Sequence, residues 1–243
     1  MSSSTLLFPL SLISFSLLLQ LAFATNPIAW SCSNSANFTP NGTYNTNMNN
    51  LLSYLDSNTP LTGFSNGSIG QNLTQVYGLA LCRGDINATA CQACVDEASN
   101  EIQSICQFKE EAWVWYDYCE VRYSNLDFFG QIDNSEWNVE WNSNNVSDPV
   151  AFNQTLMELF TSLAEDASLS PILYAVGAET VNGTSENIYG LVQCTRDLSS
   201  VNCTSCINHA IRLIPQYFYG KTGGKAMGGS CNLHFEIYPF VLS

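Results

Sequence analysis
The chain has 243 residues, with 7 Lys plus Arg against 21 Asp plus Glu and a net charge of −14. That balance lacks the basic footprint of a nucleic-acid binder and is repelled by anionic lipid surfaces. The length allows one large domain or two of about 100 to 150 residues.

Residues 1–24 contain no charge, run apolar from Leu6 to Leu21 and end in Ala22-Phe23-Ala24. A small-x-small ending after an apolar run predicts a cleaved secretory signal peptide, with an uncleaved anchor as the alternative. No later run reaches the roughly 20 apolar residues that cross a bilayer. No hydrophobic tail for a lipid anchor follows Leu242. The mature product is therefore expected outside the cell, without a membrane span. Ten cysteines in such a chain predict disulfides rather than free thiols or zinc ligands. His209 and His234 are the two histidines, too few for a zinc site. Sequons stand at Asn37, Asn41, Asn66, Asn72, Asn87, Asn145, Asn153, Asn182 and Asn202, so several glycans are expected. Asn202 is the weakest, because Cys203 occupies the middle of its sequon.

The stretch from Asn26 to Gly42 reads as polar and irregular and holds Cys32. Tyr44, Met48, Leu51, Leu52 and Leu55 then form one stripe of an amphipathic helix. Asn66-Gly67, between short apolar runs, predicts a β-hairpin. Next comes Cys82-x8-Cys91-x2-Cys94. From Cys91 onward, Ala98, Ile102 and Ile105 follow at helical spacing, which puts both sulfurs of the C-x2-C on one helix face. Neighbouring turns of one helix do not favour a bridge between themselves, so these sulfurs are available to tie the helix to other segments. A strand follows, with Trp113, Trp115, Cys119, Val121 and Tyr123 read on one face. Residues 131–143, within the polar stretch 125–145, read as a linker.

The pattern then returns. Phe152, Leu156, Leu159, Phe160 and Leu163 repeat the first stripe after Asp148-Pro149, a helix start signal. Asn182-Gly183 repeats the hairpin. Cys194-x8-Cys203-x2-Cys206 repeats the cysteines, with Tyr189, Gly190, Leu191, Asp197 and Ala210 at the offsets of Tyr77, Gly78, Leu79, Asp85 and Ala98. Cys231, Leu233, Phe235 and Ile237 share one strand face, and Asn232, His234 and Glu236 face the other way. The chain is one module written twice, divided as 25–130 and 144–243. Each copy reads as an α+β layer of helix, hairpin, helix and strands.

With these residues in view, the chain resembles the plant ginkbilobin-homologous family, the salt-stress-response/antifungal domain. Its C-x8-C-x2-C signature stands in both copies. Residues 113–125 and 223–231 look like its remaining motifs. The resemblance implies two tandem domains, each two helices on a five-stranded antiparallel sheet. It also implies the pairs Cys32–Cys106, Cys82–Cys91, Cys94–Cys119, Cys194–Cys203 and Cys206–Cys231. The third bridge of the second copy is missing: Phe218 stands where Cys106 would be, and no cysteine precedes Phe152.

The family includes receptor-like kinase ectodomains, plasmodesma-located membrane proteins and secreted two-domain proteins. With no kinase domain here, the expectation is a cysteine-rich repeat secretory protein, with a truncated receptor-like kinase as the alternative. The resemblance implies a non-enzymatic binding protein of plant stress or defence in the apoplast. Its partner is expected to be an extracellular protein or a cell-wall glycan, with no cofactor; homo- or hetero-oligomers stay open. A single-domain family member binds mannose through an Asn, an Arg and a Glu. In the first copy those positions hold Ser33, Trp113 and Ser124, and the site is lost. In the second they hold Lys225 and Glu236, with the Asn position falling at Trp141 or Asn142 and Asn142 taken as the candidate, so any hexose is expected there. The carboxylate of Glu236, by strand parity, is expected to reach solvent. For catalysis, Glu110, Glu111, Asp117 and Glu120 offer carboxylates, but adjacent acids are usually a solvated face, and no nucleophile motif accompanies them.

Overall fold
The computed structural model describes residues 26–33 and 37–242; the expected signal peptide lies outside the described residues. Among the described residues, four α-helices and ten strands form two copies of one layered unit. In the first unit β1 (Ala29–Cys32), β2 (Phe64–Ile69), β3 (Val76–Cys82), β4 (Glu111–Trp115) and β5 (Cys119–Ser124) make an antiparallel sheet in the order β1-β4-β5-β3-β2. In the second, β6 (Trp137–Trp141), β7 (Tyr174–Thr180), β8 (Asn187–Cys194), β9 (Gly223–Gly228) and β10 (Cys231–Glu236) repeat that order as β6-β9-β10-β8-β7. Helices α1 (Thr43–Thr62) and α2 (Ala88–Ile105) cover one face of the first sheet, and α3 (Pro149–Leu169) and α4 (Ser200–Ile211) one face of the second.

The helices form where the apolar stripes predict. α1 buries Tyr44, Met48, Leu51, Leu52 and Leu55, and α3 buries Phe152, Leu156, Leu159, Phe160 and Leu163. Asp148 caps α3 by accepting the N–H groups of Val150 and Ala151, with Pro149 in the first turn, where its missing N–H costs nothing. Asn87 and Ser199 cap α2 and α4. The helices approach the sheets over paired glycines. Gly67 lies opposite Gly78 and Gly177 opposite Gly190. A Cβ on Gly78 would come within 2.9 Å of Leu51, and one on Gly190 within 3.0 Å of Leu159 and Leu163.

Five disulfides are present: Cys32–Cys106, Cys82–Cys91, Cys94–Cys119, Cys194–Cys203 and Cys206–Cys231. Cys82 and Cys119 are directly opposite on neighbouring strands, as are Cys194 and Cys231. The two sulfurs on adjacent turns of α2 or α4 thus meet the ends of two adjacent strands. In the second unit the third bridge gives way to aromatic packing. Phe218 is fully buried with its ring 5.5 Å from that of Phe235, and Trp141 lies 6.4 Å from Tyr217.

Four expectations need correction. The irregular stretch 26–42 contains β1. The expected linker 131–143 contains β6, which pairs with β9 through Trp137↔Gly228 and Trp141↔Gly224; Trp137, Val139 and Trp141 alternate with Asn138 and Glu140 as an edge strand does. Asn66-Gly67 lies inside β2 rather than at the hairpin turn, because Gly67 is needed beneath Tyr54, 3.0 Å from where its Cβ would sit. Asn182-Gly183 does form the turn, with Gly183 at φ 78°. Finally, Trp113 and Trp115 face away from Cys119, Val121 and Tyr123. They pair with Arg122 and Glu120, since the hairpin at residues 116–118 resets strand parity.

Candidate functional site
Strand register brings the three expected sugar-site residues into one neighbourhood. Lys225 on β9 lies opposite His234 on β10, and Gly223 opposite Glu236, so all share the face away from the helices. Asn142 follows β6, and its N–H donates to the Gly223 carbonyl at 2.9 Å, just as Ser33 N–H donates to Glu111 in the first unit. Asn142 Nδ2 donates to Glu236 Oε2 at 2.8 Å, and His234 Nε2 lies 3.3 Å from Glu236 Oε1. A Cβ on Gly223 would lie 2.1 Å from Glu236 Oε2 and 2.4 Å from Asn142 Nδ2, so only glycine leaves room for this contact.

The expectation that Glu236 reaches solvent is overturned: the residue is 6% exposed. Parity places it on the outward face of its sheet, but that face is covered by the other unit. Lys225 Nζ is likewise engaged, pairing with Asp117 in the β4–β5 turn of the first unit. Burial pushes the His234 imidazole below its ordinary range, and the cations of Lys225 and Arg83 act in the same direction against Glu236. His234 is therefore neutral at pH 7 and meets Glu236 as a hydrogen-bonding group.

The cover is reciprocal. Leu79, Leu81, Trp113 and Trp115 on the first sheet, and Leu191, Gln193 and Met227 on the second, point away from their own helices yet are buried. Met227 packs with Ala29, Trp113 and Trp115, and Gln193 Nε2 donates to the Cys82 carbonyl at 3.0 Å. The segment after each last strand then reaches across. Gly130 N–H donates to Asp197 Oδ2 at 2.8 Å, and Leu242 N–H donates to Asp85 Oδ2 at 2.7 Å. The Phe128 ring centre lies 4.3 Å from the Arg122 guanidinium, and the Phe240 ring centre lies 3.9 Å from that of His234. These are equivalent positions of the repeat, so the joint has approximate two-fold character. Asp85 and Asp197, at one offset in both copies, are its clasping acceptors. Arg122 adds pairs with Asp133 at 2.8 Å and Glu111 at 3.2 Å.

Burial pushes the Asp85 carboxyl up, but hydrogen bonds from Arg83 and the Leu242 N–H outweigh it and hold the group below the usual carboxylate range. Asp133 is also held low, where Ser135 and Arg122 outweigh its burial. The cavity left in the joint, lined by Trp115, Tyr118, Arg83, Gln193, Lys225 and Asn232, measures about 40 Å³, room for a few waters and not for a hexose.

Three of the four candidate acids have structural partners, and the fourth, Glu120, is buried. Glu110 accepts from Asn125, Glu111 and Asp117 pair with Arg122 and Lys225, and Glu120 is buried in the joint. His209 stacks on Trp137 with ring centres 5.6 Å apart. Among the described residues no cluster of three metal-binding side chains occurs.

Residues 31–126 and 139–238 each match the family described as salt stress response/antifungal. The chain belongs to this family. It is 41% identical over 231 residues to an antimicrobial ginkbilobin-2-like protein of Castanea crenata, covering 95% of each chain. It is 43% identical over 206 residues to cysteine-rich repeat secretory protein 38 of Arabidopsis thaliana, covering 84% of this chain and 81% of the relative. It is also similar to a cysteine-rich receptor-like protein kinase of that plant, at 36% identity across 32% of the kinase. The fold matches the tandem DUF26 ectodomain of the Arabidopsis thaliana receptor-like protein PDLP8 with a TM-score of 0.77 at 23% identity, covering 86% of this chain and 97% of that one. The chain is thus a disulfide-rich, extracellular protein of the cysteine-rich repeat type, and among its described residues no helix is long and apolar enough to cross a membrane.

Proposed function
We propose that the protein is a secreted, non-enzymatic binding protein of plant defence, which recognises an extracellular protein partner with the outer surface of its two joined modules. One observation carries this reading: Asn142, Lys225 and Glu236 spend their hydrogen-bonding groups on Glu236, Asp117 and His234. A sugar would have to displace these contacts, one of which, Lys225 to Asp117, joins the two modules. The outside, by contrast, offers aromatic anchors of the kind that dominate protein interfaces. Trp141, at the end of edge strand β6, is 50% exposed, and its neighbour Tyr217 is 37% exposed. The similarity to a protein named antimicrobial supports the defence setting.

Mannose-type recognition by the second module is the competing reading, which the family resemblance brings. The two separate in one experiment. The folded, secreted chain is applied to a glycan array, and in parallel is crosslinked to proteins of plant extracellular fluid. The expected result is no array binding, with crosslinked protein partners lost in the Trp141→Ala, Tyr217→Ala double variant. Array binding to mannose-type glycans that Glu236→Gln abolishes would overturn the proposal in favour of the lectin reading.

A further inference from the structure
The two halves of the joint are built from equivalent residues, and one half lacks what the other has. In the first half Asp85 accepts Arg83 Nε at 2.6 Å and Nη2 at 2.8 Å as well as the Leu242 N–H. In the second half Asp197 accepts the Gly130 N–H on Oδ2, while its Oδ1 is buried without a hydrogen-bond partner. Thr195 stands where Arg83 stands in the other copy. Glu120 of β5 lies near Asp197 across the joint; it is 3% exposed, and its Oε1 is also buried and unpartnered. Its counterpart in the first half is Asn232, which bears no charge.

The surrounding cations do not fill the gap. Arg122, two residues along β5, gives its Nη groups to Glu111, Asp133 and the Gly229 carbonyl, and its buried Nε–H bonds neither bare carboxylate oxygen. Arg196, beside Asp197, donates from Nη1 to the Thr62 carbonyl at 2.6 Å. Two ionised carboxylates, each with a bare buried oxygen, repel one another and lose hydration together. A single proton on one of them removes the repulsion and one of the two buried charges.

We propose that one buried proton, carried by Glu120 beside Asp197, closes this half of the joint, and that its loss as the surrounding pH rises loosens the contact between the modules without unfolding either. Burial, and then the charge of Asp197, pushes the Glu120 carboxyl well above its ordinary value against the opposing pull of Arg122. When the modules part, Glu120 regains water and its ordinary value. Below that value both states hold the proton and the joint has its full strength. Above it the open state releases a proton that the closed state keeps, so the closed-to-open ratio falls about tenfold per pH unit until Glu120 ionises in place. Asp85 and Asp133, held low, act with the opposite sign and weaken the joint when it is acidified through their range.

The test is amide hydrogen exchange by NMR on the full chain, from about pH 4.5 to about pH 8 and corrected for intrinsic rates. Gly130 N–H reports the Asp197 clasp, and Val121 and Val192 report the two sheets. Protection at Gly130 should fall with pH by up to about tenfold per unit while the sheets hold. Glu120→Gln should abolish that dependence, and Asp197→Asn should shrink it. A flat wild-type profile overturns the proposal, and so does a Glu120→Gln variant that keeps the wild-type slope. If Glu120→Gln does not fold, Asp197→Asn decides alone: an unchanged slope overturns it.

Discussion

Replacing Glu236 separates a sugar-binding carboxylate from a structural one. Its side chain is 7% exposed, accepts from Asn142 at 2.8 Å and contacts His234 at 3.3 Å. Hydrogen bonds to a charged acceptor contribute roughly 1.5–3 kcal/mol each, and the long His234 contact belongs at or below the low end. Glu236→Ala strands the Asn142 amide in a covered site and removes both contacts, so it should cost about 3 kcal/mol. For a chain of this size that is a fall in Tm of about 6–12 °C if both modules unfold together. Glu236→Gln keeps an oxygen for Asn142 and should lose about half as much. Gly223→Ala should behave like Glu236→Ala, because its Cβ would occupy the contact itself. The assay is guanidinium denaturation of each variant, paired with calorimetric titration of mannose into wild type. The structural reading expects large midpoint shifts and no mannose heat. An unshifted midpoint in Glu236→Ala, together with mannose binding that this variant loses, would refute the reasoning.

Asp85→Ala should release the Leu242 segment and leave Arg83, whose side chain is 11% exposed, without its carboxylate partner and with only the long contact to the Asp117 carbonyl. The expected cost is about 2–3 kcal/mol, with faster proteolysis of the C-terminal segment; a variant as resistant as wild type would show that the clasp contributes nothing. Phe218→Ala removes a fully buried ring from the place of the missing third bridge and should cost about 3–5 kcal/mol. The loss falls on the second module, so calorimetry should resolve it as an earlier transition ahead of the first module. Glycopeptide mass spectrometry should find glycan among the exposed sequons Asn37, Asn41, Asn72, Asn87, Asn145 and Asn182. It should find none at Asn153, whose amide is buried, or at Asn202, whose Nδ2 donates to the Gly130 carbonyl; an occupied Asn153 would contradict the packing of α3.

The helices were legible because their apolar stripes run over three turns and occur twice, with the same internal spacing in both copies. β1 and β6 were not, because an edge strand of four or five residues in polar sequence carries too little alternation to stand out. The fate of Glu236 failed for a different reason. Strand parity decides which face a side chain takes, and it placed Glu236, His234 and Asn232 correctly away from the core. Parity cannot decide whether that face meets water. The needed signal was nevertheless present. Leu79, Leu81 and Trp115 in the first copy, and Leu191 and Met227 in the second, all take the outward face. An outward face in water should alternate to polar residues, as antiparallel sheets with one solvated face do. Apolar residues at outward positions in both copies, joined by an aspartate at one offset after each first cysteine, therefore mark a contact made by the repeat with itself. Read that way, the outward face of the second copy, Lys225 included, meets the first copy, and the acid that departs from the two-fold pattern, Glu120 in place of an Asn232-like amide, becomes the residue where the joint can respond to its surroundings.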